Sequence, residues 1–187
     1  MQRIFAWPYR GILAFLLWTG IYPWQLSLLS LGLNVVVGAL IIEGQWLVGG
    51  ALLILAGICD VFDGSVARQR GIESRSGAFL DSVLDRVSDA ILFSCLFWAL
   101  AAQGETLDAA LALITLVVSL SVSHVRAEAE AIGIPLTEGF FQRLERFLAL
   151  MVGLLIPGAM QPVLIVLAVL GGVTLMQRGW AAVSEAR

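Results

Sequence analysis

The chain has 187 residues, of which 59% are hydrophobic and 13% charged, with a mean hydropathy of +0.93. Soluble domains run at about 45–50% apolar and about 25% charged, so these figures exclude a soluble enzyme and point to an all-α, polytopic membrane protein. The net charge is −3. All eleven basic residues are arginine, and no nucleic-acid partner is implied.

The chain opens MQRIFAWPYRG, basic and aromatic, with no small-residue cleavage site after its apolar segment. It therefore reads as part of the mature protein rather than a signal peptide. Pro8 breaks this run early, and Gly20 and Pro23 close it. The apolar part is shorter than the about 20 residues a span needs. Arginines and aromatic rings favour the headgroup region, so residues 3–20 are expected to form an interfacial helix. Six transmembrane spans follow, at about 25–42, 46–70, 77–102, 109–131, 140–157 and 162–178, making a single membrane domain over 1–187. The turns on the far side, Glu43–Gln45, Gln103–Asp108 and Pro157–Pro162, hold no arginine. Every arginine falls on the near side, which the positive-inside rule makes cytoplasmic, together with both termini. A multi-pass cell-membrane protein is the expectation.

The second and third spans carry DVFDGSVARQRGIESRSGAFLDSVLD, residues 60–85. Asp60 and Asp63 are spaced i, i+3, and Asp81 and Asp85 i, i+4, so each pair shares one helix face. Two such helices side by side would aim four carboxylates at one spot. Unpaired at lipid depth they would be very costly. A divalent cation offsets that cost, and all-oxygen ligation suits Mg²⁺, Mn²⁺ or Ca²⁺. Gly64 and Ala67 leave a groove beside the carboxylates, and Arg68 adds a guanidinium fork suited to phosphate. Gly77 is either a second close-approach point or a plain helix start. A metal beside such a groove is a candidate diphosphate site. A divalent-cation transporter or binding protein would also need intramembrane carboxylates. It would not need the glycines and Arg68, and it should carry ionisable groups through to the far side.

Other residues have local readings. Arg86 and Asp89 are spaced to pair at i, i+3. His124 reads as a packing residue at the end of its span. Cys59 and Cys95, in apolar runs, read as small buried hydrophobes with no disulfide implied. Arg126, Arg143, Arg146 and Arg178 lie at the cytoplasmic ends of the last three spans. They suit either lipid headgroups or a phosphate cradle.

The stretch from Asp60 to Asp85 resembles the signature of the CDP-alcohol phosphotransferase family, D-x2-D-G-x2-A-R-x8-G-x3-D-x3-D. Asp60, Asp63, Gly64, Ala67, Arg68, Gly77, Asp81 and Asp85 fill it without departure. The resemblance implies an enzyme that moves a phosphatidyl group from CDP-diacylglycerol to a small hydroxylated acceptor and releases CMP, in phospholipid biosynthesis. It implies that Asp60, Asp63 and Asp81 bind Mg²⁺ or Mn²⁺, as one ion or two. Asp85 would take the acceptor's proton and touch a second metal. Gly64, Ala67, Arg68 and Gly77 would hold the cytidine diphosphate. Pro23-Trp24-Gln25-Leu26-Ser27 is similar to a P-N-x-x-T stretch of relatives, with Trp24 and Ser27 in place of Asn and Thr. SHVRAEAEAIG, QRLER and the Gln177-Arg178 pair are similar to segments of prokaryotic phosphatidylinositol-phosphate synthases, a branch of that family. By that likeness Arg126, Arg143 and Arg178 would bind an acceptor phosphate, as in inositol phosphate or glycerol 3-phosphate. Glu128 stands where those relatives carry a basic residue. The family's homodimers make a homodimer the expectation here.

Overall fold

The computed structural model describes residues 2–134 and 143–185, with side chains from Tyr9 onward. These residues form seven helices: α1 (Gln2–Thr19), α2 (Pro23–Ile42), α3 (Trp46–Arg70), α4 (Arg75–Ala102), α5 (Thr106–Ala131), α6 (Arg143–Leu155) and α7 (Met160–Glu185). The start expected for the fifth span, at 140, lies outside the described residues, as does the loop after Ile134.

Local chemistry sets the boundaries. Pro23 opens α2, and the Gln25 side-chain oxygen accepts from the Tyr22 N–H at 2.9 Å. Gly71, at φ 62°, closes α3 in the left-handed conformation that favours glycine. Ser74 then caps α4 by accepting from the Gly77 N–H at 3.0 Å. The two aspartate pairs are thus joined by one short, well-terminated turn. Several helix starts fall two or three residues before the expected positions. α1 continues through Pro8 without the early break its sequence suggests. α7 runs past 178 to Glu185, because Ala181 and Ala182 pack on Val125 and Ala129.

Among the described residues, four helices are long and apolar enough to cross a membrane: α2, α3, α5 and α7. Neighbour packing closes a ring, in the order α2, α3, α6, α7, α5, α4 and back to α2. α1 lies outside the ring, against α3. Among the described residues α3 and α4 do not pack on each other, contrary to the side-by-side arrangement the aspartate spacing suggests. α2 stands between them and bonds to both. Ser30 donates to the Ala56 carbonyl of α3 at 3.0 Å, and Asn34 donates to Ser88 Oγ of α4 at 3.1 Å. A gap therefore runs between α3 and α4 at their polar ends. The rest of the ring is filled by an apolar core that includes Val37, Leu53, Leu96, Leu150, Leu164 and Leu167. Both cysteines are free and partly buried.

The α3–α6 contact is set by Gly57. A Cβ there would meet the Phe147 ring at 2.6 Å. Gly57→Ala is expected to overpack this crossing at a cost of about 1–3 kcal/mol. Thermal unfolding in detergent should show a lowered midpoint, with Phe147→Leu in the same chain restoring much of it.

Candidate active site

The carboxylates of the motif face each other across the α3–α4 gap. Asp60, Asp63 and Asp81 each offer one oxygen, all within 4.8 Å of one another. Ligand oxygens around an octahedral ion with bonds of about 2.1 Å lie about 3–4 Å apart. The three oxygens lie close to that spacing, and this all-oxygen set fits a hard divalent cation. Asp63 is the best anchored. Ser27 Oγ donates to its Oδ2 at 2.6 Å, and the Gly64 N–H donates to Oδ1.

Asp85 stands apart from the three. Arg143 joins it to Asp60, with Nη2 2.8 Å from Asp85 Oδ1 and Nη1 2.7 Å from Asp60 Oδ2. The Gly57–Phe147 crossing explains this bridge. Arg143 lies one turn before Phe147 and Asp60 about one turn after Gly57. On antiparallel helices the two side chains come level.

Two cavities open here. One, of ≈ 350 Å³, is lined by Pro23, Ser27, Asp63, Gly64, Ala67, Arg68, Gly77 and Asp81. All four residues expected at the nucleotide are thus brought together, with Asp63 at their edge. The other, of ≈ 370 Å³, is lined by Asp81, Asp85, Arg86, Arg126, Arg143, Arg146 and Arg178. The three expected acceptor arginines also converge, each from a different helix. Asp81 and Ala78 belong to both cavities. A third, apolar groove of ≈ 570 Å³ runs between α3 and α6 and ends at Asp60 and Arg143.

The arginine cavity differs in detail from expectation. Asp89 is held by Arg146, at 3.5 Å, and by Ser119 Oγ, at 2.7 Å, rather than by Arg86. Arg86 instead donates to the Ser82 side chain and to the Ser123 carbonyl at 3.1 Å. The aspartate turns inward to the buried guanidinium, where solvent screens the pair least. Arg178 is buried on α7 and donates to the Val122 carbonyl at 3.3 Å. Arg126 is exposed and pairs with Glu130 at 2.7 Å. His124, expected as a packing residue, is also exposed, 3.9 Å from Glu128, because it lies on the outer face of α5, away from the Val125 and Ala129 face that packs on α7. Glu128 does not line the cavity, so its departure from the basic pattern leaves the arginine cluster intact. Arg146, which the sequence places in the basic set without a role of its own, lines the arginine cavity, and Ser27, which it matches to the relatives' Thr, lines the small-residue cavity. That Ser27 also anchors Asp63 depends on the α2–α3 contact, which no local pattern gives.

Ring and cleft define a multi-pass helical membrane protein with an oxygen-rich, cation-competent site beside a small-residue cavity and an arginine-lined one. The sequence pattern described as CDP-alcohol phosphatidyltransferase matches residues 21–176. The chain belongs to this family. It is 41% identical over 141 residues to the archaetidylinositol phosphate synthase of Methanothermobacter thermautotrophicus, covering 73% of this chain and 70% of that one. It is 38% identical over 139 residues to the phosphatidylinositol phosphate synthase of Corynebacterium glutamicum, covering 73% and 64%. The chain thus spans about two thirds of the length of these relatives. The crystal structure of Mycobacterium tuberculosis phosphatidylinositol phosphate synthase with CDP-DAG bound superposes with a TM-score of 0.85 at 30% identity, covering 93% of this chain and 92% of that one. The same enzyme in complex with manganese and citrate gives 0.81 at 29% identity, covering 93% and 88%. This kinship supports an enzyme and gives no support to the cation-transporter alternative.

Proposed function

We propose that this enzyme transfers a phosphatidyl group from CDP-diacylglycerol to the hydroxyl of a phosphorylated acceptor, with inositol phosphate favoured over glycerol 3-phosphate. One observation carries the reading: a small-residue groove and an arginine-lined cavity share a wall at Asp81. A two-substrate transfer needs such a pair of chambers meeting at the reacting phosphorus. In this reading Gly64, Ala67, Arg68 and Gly77 hold the cytidine diphosphate, and the apolar α3–α6 groove takes an acyl chain. Arg126, Arg143 and Arg178 hold the acceptor phosphate, with Arg146 behind them. The names of the relatives favour inositol phosphate.

Asp60, Asp63 and Asp81 would hold Mg²⁺ or Mn²⁺, with Asp85 at the edge of any second ion. Bound there, the ion offsets the negative charge of the diphosphate. Asp85, on the acceptor side, takes the hydroxyl proton. The acceptor oxygen then bonds to the diacylglycerol-bearing phosphorus. The bond from that phosphorus to the bridging oxygen breaks, and CMP leaves with the electron pair.

The membrane arrangement belongs to the same proposal. A single domain crosses the bilayer six times, with α4 and α6 completing the set, and α1 lies along the interface. The arginine-rich end, both termini and the site face the cytoplasm. Two copies pair through membrane helices.

The test supplies CDP-diacylglycerol with inositol phosphate, glycerol 3-phosphate, inositol or serine and follows metal-dependent CMP release. Inositol phosphate should give the fastest release, and release with none of the four would refute the assignment only if the metal is present. Failure with all four at saturating Mg²⁺ and Mn²⁺ refutes it. Arg143→Ala should raise the acceptor's half-saturation at least about tenfold, as loss of a charge-assisted hydrogen bond does, and the donor's much less. Equal effects on both would remove Arg143 from the cradle.

A further inference from the structure

We infer that Tyr9, on the helix outside the ring, is a positioning residue for the donor diphosphate, aiming Arg68 through Ser65. The inference rests on the reading of Arg68 as a diphosphate ligand. Arg68 is exposed at the mouth of the small-residue cavity, on a long and flexible side chain. Among the described residues its guanidinium makes one hydrogen bond, from Nη2 to Ser65 Oγ at 3.2 Å.

The Ser65 hydroxyl is fully committed. It donates its proton to the Val61 carbonyl at 2.9 Å. It accepts from Arg68 and from the Tyr9 hydroxyl, the latter at 2.9 Å. One donor and two acceptor positions exhaust what a serine hydroxyl offers. Losing Tyr9's bond frees that oxygen to reorient and loosens its hold on Arg68. Tyr9 is itself well placed for this work. Its ring stacks on Phe62, centroids 5.1 Å apart and planes 22° apart. Leu13, Leu16 and Leu17 of α1 pack in the same cluster as Phe62 and Val66. Arg70 donates to the Ile21 and Leu17 carbonyls, at 2.8 and 3.2 Å, and pins the end of α1. The outer helix is therefore anchored to α3 along the motif itself, from Phe62 to Arg70.

The test uses the full-length enzyme in phospholipid nanodiscs. Tyr9→Phe keeps the ring and removes the hydroxyl. It should raise the KM for CDP-diacylglycerol about fivefold, as loss of one hydrogen bond does. The kcat and the acceptor KM should stay within about twofold by the same measure. Ser65→Ala should do the same, and Tyr9→Phe added to Ser65→Ala should change nothing further. An additive double mutant, or a lowered thermal midpoint with an unchanged donor KM, would show Tyr9 to be a packing residue only and overturn the inference. Arg68→Ala separates the two levels. If it raises the donor KM while Tyr9→Phe does not, the relay is wrong and the diphosphate reading stands. If Arg68→Ala leaves the donor KM unchanged, both fall.

Discussion

Asp85→Asn is expected to lower CMP release by about 10²–10⁴-fold, the range a positioned general base contributes. The variant should still bind CDP-diacylglycerol. Asparagine matches the shape of aspartate and differs by the charge that accepts a proton. The surroundings tolerate the change, because Arg143 keeps Asp60 as a partner. The metal-competent group is untouched, since it is formed by Asp60, Asp63 and Asp81. Donor binding is read by displacement of labelled CDP-diacylglycerol, and turnover by CMP release at saturating metal. Turnover like that of the parent enzyme would dismiss Asp85 as the base.

Asp81→Asn should produce a loss of similar size with a different signature. Asp81 belongs to the metal-competent triad and lines both the small-residue cavity and the arginine cavity. Outer-shell changes at metal sites already cost about 10–100-fold, so loss of a direct ligand should cost at least about 100-fold at low metal. The half-saturating Mg²⁺ or Mn²⁺ concentration should rise, and excess metal should recover part of the activity. No amount of metal should rescue Asp85→Asn. Titrating both variants over the same metal range distinguishes a ligand from a base. Identical curves would show that the two aspartates do not divide the work as proposed.

Much of this site was legible before any fold was known. The bounds of α3, at Trp46 and Arg70, followed from hydropathy, a polar turn and a terminal glycine. The aspartate spacings gave the shared faces, and Gly64, Ala67, Arg68 and Gly77 converge on one cavity as their pattern implied. What stayed hidden depends on which helices cross and where. α2 sits between α3 and α4 because Ser30 and Asn34 bond to opposite neighbours, and no local period announces that. Arg86 and Asp89 had the spacing to pair, but Arg146, on another helix and far along the chain, competes for the aspartate. Gly57 is visible as a glycine; its partner Phe147, ninety residues away along the chain, is not. Tyr9 and Ser65, 56 residues apart, likewise meet only because α1 folds back along α3.

The apolar filling of the ring has a further consequence. The cleft is lined by charged groups at one end, yet beyond it the interior is closed by Leu53, Leu96, Leu150 and Leu164, each essentially inaccessible to solvent. An ion moving past those leucines would give up its water shell to apolar side chains, at a high energetic cost. A cleft stoppered in this way admits its ligands from the polar end and offers a bare charge no easy exit through the middle of the ring.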